Sequence, residues 1–142
     1  MTPKLKAMLV MDRERRQPLL DALDSCGIEV VAMCDCNEAQ QMLETQPGQV
    51  VVTDTTLPDG DWRRLLDIVE QGHRKIEVVV CSRLSDPKLW LDVLEQGGYD
   101  VLVPPFQHEE VQRIIEAAAT RSSSPTRFTT NACNNREVEQ QE

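Results

Sequence analysis

The sequence predicts a doubly wound α/β fold, a five-stranded parallel sheet with helices on both faces. Two observations carry this. Short valine-rich runs, Val50-Val51-Val52 and Val78-Val79-Val80 among them, lack the polar alternation of a half-exposed strand and read as strands buried on both sides. Between such runs lie stretches with apolar residues at helical spacing, and strand and helix signals alternate five times before about Thr120. βα units of this length close only through parallel pairing and right-handed crossovers.

The elements follow in order. Leu5 to Met11 is the first strand; the next helix places Leu19, Leu20, Leu23 and Cys26 on one face and stops at Gly27. Ile28 to Met33 is the second strand, followed by a short helix with Asp35 or Asn37 at its cap, Ala39, Met42 and Leu43 inward, and Pro47-Gly48 at its close. Val50 to Thr53 is the third strand, and Leu57-Pro58-Asp59-Gly60 is a turn. Trp62, Leu65, Leu66 and Val69 then repeat at helical spacing with Arg63 and Arg64 outward. Glu77 to Cys81 is the fourth strand, Asp86-Pro87 starts the fourth helix, and Val101 to Val103 is the fifth strand. The last helix carries Val111, Ile114, Ile115 and Ala118 on one face. From Arg121 onward the Ser-, Asn-, Gln- and Glu-rich stretch cannot bury a core, so residues 1–120 are expected to form the domain and 121–142 a flexible tail.

Composition narrows the function. A length of 142 residues and 40% hydrophobic content suit one core. A formal net charge of -9 argues against direct nucleic-acid binding, which needs clustered Lys and Arg, and favours protein partners. No apolar run approaches the ~18 residues of a membrane span, so no membrane association and a cytoplasmic location are expected. Five cysteines, four of them in or beside predicted buried elements, read as reduced core residues.

Three strands end on small polar or acidic residues: Asp12 after the first, Asp54 after the third and Ser82 after the fourth. In open α/β sheets the ligand site lies at the carboxyl ends of the strands, so two carboxylates and a hydroxyl converge at one rim. At these residues the chain resembles the receiver domain of bacterial response regulators, over residues 4 to 120. Asp54 with Leu57-Pro58-Asp59-Gly60 is similar to the phosphoacceptor aspartate and its loop, Asp12 to the first acid of the acidic pair, Ser82 to the switch hydroxyl, and Gly97 to Phe106 to the segment before the last helix. The resemblance implies strand order 2-1-3-4-5, a two-component phosphorelay role, a sensor kinase, another signalling protein or a second copy of the chain as partner, and no enzyme activity. It also implies Mg²⁺ held by Asp54, the Thr56 carbonyl and, through water, Asp12.

The departures point to a degenerate receiver. Arg13 stands where the family has its second acid, Pro104 where it has a lysine, and Val101 where it has a mobile aromatic ring. Asp12 and Asp54 with Arg13 leave one net negative charge, so Mg²⁺ is expected to bind weakly or not at all. Arg13 is expected to reach across to Asp54, a contact worth about 4 kcal/mol at ~4 Å before desolvation. Leu89, Trp90, Leu91, Val93 and Leu94 make the fourth helix too apolar for one buried stripe, so Trp90, Leu91 and Leu94 are expected to form an interface. Two alternatives remain open: a small phosphatase of the haloacid dehalogenase type, although Thr56 stands where it needs a second acid, and the receiver part of a longer DNA-binding regulator.

Overall fold

The computed structural model describes residues 5–45, 48–72 and 75–123. Strands β1 (Lys6–Val10), β2 (Glu29–Met33) and β3 (Val50–Asp54), the two-residue β4 (Thr56–Leu57) and β5 (Gly60–Asp61), then β6 (Glu77–Cys81) and β7 (Asp100–Leu102) alternate with five helices. These are α1 (Gln17–Ser25), α2 (Cys36–Thr45), α3 (Trp62–Glu70), α4 (Pro87–Gln96) and α5 (His108–Ser123). The main sheet is wholly parallel in the order β2-β1-β3-β6-β7, the order expected for its five strands. The turn after Asp54 is tightened into a small antiparallel ribbon pairing Thr56 with Asp61 and Leu57 with Gly60.

The two-residue period of the strands divides the core. Ala7 and Leu9 face Leu19 and Leu23 of α1 and Val111 and Ile115 of α5, whereas Met8 and Val10 face Ala39 of α2, Trp62 and Leu65 of α3 and Val93 of α4. Every residue of β3 and β6 is buried, so both strands sit at the sheet centre and deliver their last side chains to one rim. Gly97 ends α4 in the left-handed region at φ 106°, where a side chain would be strained.

The first three strands differ from the sequence reading by one residue at one or both ends, and two further boundaries differ for visible reasons. The fifth strand begins at Asp100, one residue early, because Val79 and Val80 pair with Asp100 and Val101. Helix α5 continues past the expected domain limit at residue 120 through Ser123: the Arg121 guanidinium lies 3.2 Å from the buried Glu77 carboxylate and over the Tyr99 ring, which ties the last turn to the body. The remaining tail, 124–142, and Pro47 lie outside the described residues. No helix among the described residues is long and apolar enough to cross a membrane.

Candidate functional site

Asp54 ends β3 with its side chain only 1% exposed. A carboxylate taken that far out of water is costly unless it is paired and hydrogen-bonded. Both conditions are met: Oδ1 accepts from the Thr55 N–H at 2.7 Å, with the Thr55 hydroxyl at 3.4 Å, and Oδ2 accepts from Nη1 of Arg15. The Arg15 side chain is 30% exposed, so its guanidinium roofs the carboxylate and shares the rim with solvent.

This corrects the expectation for Arg13. The Asp12 carbonyl accepts from the N–H groups of Arg15 and Arg16 at 3.0 and 3.1 Å, so the chain coils directly after β1 instead of keeping the strand direction. A helical turn rotates each successive side chain by about 100°. Asp12, Arg13 and Glu14 are thereby left exposed, and Arg15 is carried onto Asp54. The run Arg13-Glu14-Arg15-Arg16 offered three guanidinium candidates, and only the turn selects among them.

The other expected site residues gather less tightly. Asp12 is exposed and its Oδ1 accepts from the Glu14 N–H at 3.2 Å; Thr56 is exposed on β4. The Ser82 hydroxyl donates to the Leu84 carbonyl at 2.8 Å and accepts from the Leu84 N–H at 3.3 Å, which occupies it in folding the loop before α4. Val101 is half-buried and packs against the α3 side of the core. Pro104 is exposed, joined to Pro105 by a cis peptide bond, and brings no cation to the rim. Cys81 is paired in register with Asp54; burial and the neighbouring Asp54 charge push its thiol up, so it stays protonated and inert.

A residue that sequence reasoning took only for a turn former proves to brace the site. The Asp59 carboxylate accepts from the Cys36 N–H at 2.8 Å and the Asn37 N–H at 3.0 Å, capping α2 from the loop that follows Asp54. Partial burial alone would raise the Asp59 carboxyl, but these hydrogen bonds outweigh it and hold it below its ordinary value. The Cys36 thiol beneath is pushed up to about 11 by burial and then by the Asp59 charge. Asp59→Ala is expected to cost about 1 kcal/mol at neutral pH. Because the folded carboxyl is depressed, this benefit is complete above the ordinary carboxylate range and fades as pH falls through the folded value. The stabilities of wild type and variant should therefore converge below about pH 4, which urea denaturation at several pH values would measure.

The comparisons with known proteins bear on the family and the fold. The family model for the response regulator receiver domain matches residues 9–116. The chain belongs to that family. Membership favours the receiver reading over the dehalogenase-type alternative. The receiver is 28% identical over 109 residues to the DNA-binding transcriptional regulator NtrC of Proteus hauseri, covering 77% of this chain and 23% of that one. It is 27% identical over 103 residues to the chemotaxis protein CheY of Bacillus subtilis, covering 72% and 83%. The chain thus spans about a quarter of the length of the NtrC relatives it matches. Its fold is that of the receiver domain of the sensor histidine kinase PA1611 from Pseudomonas aeruginosa PAO1, a structure with magnesium in its active-site cleft (TM-score 0.71, 22% identity, 83% of this chain and 99% of that one).

Proposed function

We propose that this receiver is a signalling module that works by protein contact, with phosphorylation of Asp54 slow or absent. The observation that carries the reading is the ion pair between Arg15 and the buried Asp54. Aspartyl phosphate forms when a carboxylate oxygen attacks phosphorus, and an oxygen already bound to a guanidinium is a poorer nucleophile. Arg15 must swing away before Oδ2 can react, and Pro104 offers no ammonium to receive the incoming phosphoryl group.

The donor set fits Mg²⁺ poorly. This ion wants near-octahedral oxygen ligands, one or two of them carboxylates. Both Asp54 oxygens are engaged, Asp12 is exposed with its Oδ1 accepting from the Glu14 N–H, and the described residues hold no group of three acidic, His or Cys side chains able to bind a metal. Arg15 supplies the positive charge instead, which supports weak or absent metal binding.

Contact is assigned to α4. Trp90, Leu91 and Leu94 are 47%, 52% and 36% exposed, and the Trp90 indole N–H donates to Asp100 Oδ1 at 3.1 Å, so the ring is held in place. Trp90→Ala should weaken partner binding and leave the melting temperature nearly unchanged; unfolding instead would make Trp90 a core residue. The length of the NtrC relatives supports a second reading, in which the chain is the receiver part of a longer regulator, and the full reading frame of its gene decides that. Intact-mass measurement after incubation with acetyl phosphate and Mg²⁺ tests the main reading: little or no phosphorylated chain is expected, and rapid stoichiometric modification of Asp54 would overturn it.

A further inference from the structure

We propose that the segment following α5 folds back under the sheet of its own chain, with Phe128 seated in the apolar groove between α2 and α3 and Arg127 paired with Glu70 at the lip of that groove. The groove lies at the edge of the sheet opposite Asp54, so the contact stands or falls apart from the phosphorylation reading.

Helices α3, α4 and α5 all end where the parallel strands begin, away from the Asp54 rim. Two hollows meet there. One, of about 390 Å³, lies between α2 and α3, and the other, of about 420 Å³, opens beside Arg121 in the last turn of α5. Val69, Gly72 and Ile76 line both, so they form one trough running from the end of α5 to α2. Leu43, Ile68 and Ile76 pack on the core from this side and stay half-buried, which leaves the groove an apolar wall without cover among the described residues. A dry cavity of about 150 Å³ already admits a benzene ring, so the groove has room for an aromatic side chain.

The chain beyond Ser123 selects the occupant. Pro125 cannot continue a helix and biases Ser124 towards extended backbone, so the chain leaves the axis of α5 at the mouth of the trough. Arg121 clasps Glu77, and Ile76, the residue before it, belongs to the groove wall. Five extended residues from Ser123 to Phe128 span up to ~17 Å, which brings the ring to that wall. Phe128 is the one aromatic residue of 124–142, and Arg127 is the one charged residue of 124–135. The trough offers the complement to both. Glu44 and Glu70 are exposed on its walls and form no ion pair among the described residues, whereas Lys75 is already engaged. Adjacent side chains of an extended chain point to opposite sides, so a Phe128 that faces the groove turns Arg127 outward to Glu70. The tether holds the ring near its groove at an effective concentration on the order of millimolar, so a small contact suffices. A segment too polar to build a core of its own thereby adds one ring to the core of the domain.

Nuclear Overhauser spectra of the full chain test the contact. Cross-peaks are expected from the Phe128 ring to the methyl groups of Leu43, Ile68 and Ile76, and they should persist when labelled chain is diluted into unlabelled chain. Limited trypsin digestion gives a second readout, the rate of cleavage after Arg127. Phe128→Ala should raise that rate about tenfold by releasing the segment, and Glu70→Gln about threefold, as the loss of one exposed ion pair allows. Glu70 is exposed and Phe128 lies beyond the last helix, so both variants keep the fold. A Phe128 ring without contacts to these methyl groups, or equal cleavage rates in wild type and both variants, would overturn the proposal. Cross-peaks found only between labelled and unlabelled chains would overturn it as well, since the groove would then hold the segment of another copy.

Discussion

Arg15→Ala is expected to destabilise the fold by about 2–3 kcal/mol, whereas Arg13→Ala should stay within about 0.5 kcal/mol of wild type. Removing the guanidinium leaves a buried carboxylate with the Thr55 backbone N–H and hydroxyl as its remaining partners. Breaking a fully buried pair this way costs ~3–5 kcal/mol, but Arg15 is 30% exposed and water can enter where it stood, so the lower figure applies. Urea denaturation at neutral pH without divalent cations measures both variants. Equal, small losses would mean that the contact to Asp54 is a surface pair of little consequence.

Trp62→Ala should cost about 3–5 kcal/mol, the largest single loss expected among the residues around the site. Trp62 opens α3 directly after its Asp61 cap, is 2% exposed, and its backbone N–H donates to the Thr55 carbonyl at 3.3 Å. The ring fills the core under the loop that follows Asp54, and the Arg63 guanidinium lies 4.5 Å above it. Alanine there opens a cavity that α3, held between β5 and the sheet, has little freedom to close. Trp62→Phe, which keeps most of the volume, should lose less than half as much; a loss below about 1 kcal/mol for the alanine variant would contradict this packing.

The residues that made the fold legible are those whose neighbours in sequence are also their determinants. Val50 to Val52 and Val78 to Val80 read as buried strands because nothing but a two-sided core accepts such runs, and both are buried throughout. Asp86-Pro87 announces a helix start, and the Asp86 carboxylate caps its own helix. The rim was legible in part. Asp54 lies where its strand end places it, but the cation beside it is Arg15 and not Arg13, which stands at the position of the family's second acid. The turn at Asp12 decides this, and it depends on backbone hydrogen bonds from Arg15 and Arg16 that no side-chain pattern announces. Asp59 escaped for a related reason. Its partners are the N–H groups of Cys36 and Asn37, more than twenty residues earlier, so its capping role exists only once the sheet has brought α2 beside the loop.

On the proposed reading, Arg15 takes the place of a bound cation at Asp54. Calorimetric titration of wild type and Arg15→Ala with Mg²⁺ tests this most directly, since both compete for one carboxylate. Weak or undetectable binding by wild type is predicted, with affinity at least about tenfold higher in the variant, where a repelling charge is gone and Oδ2 is free. Tight binding by wild type, or equal affinities in the two proteins, would contradict it.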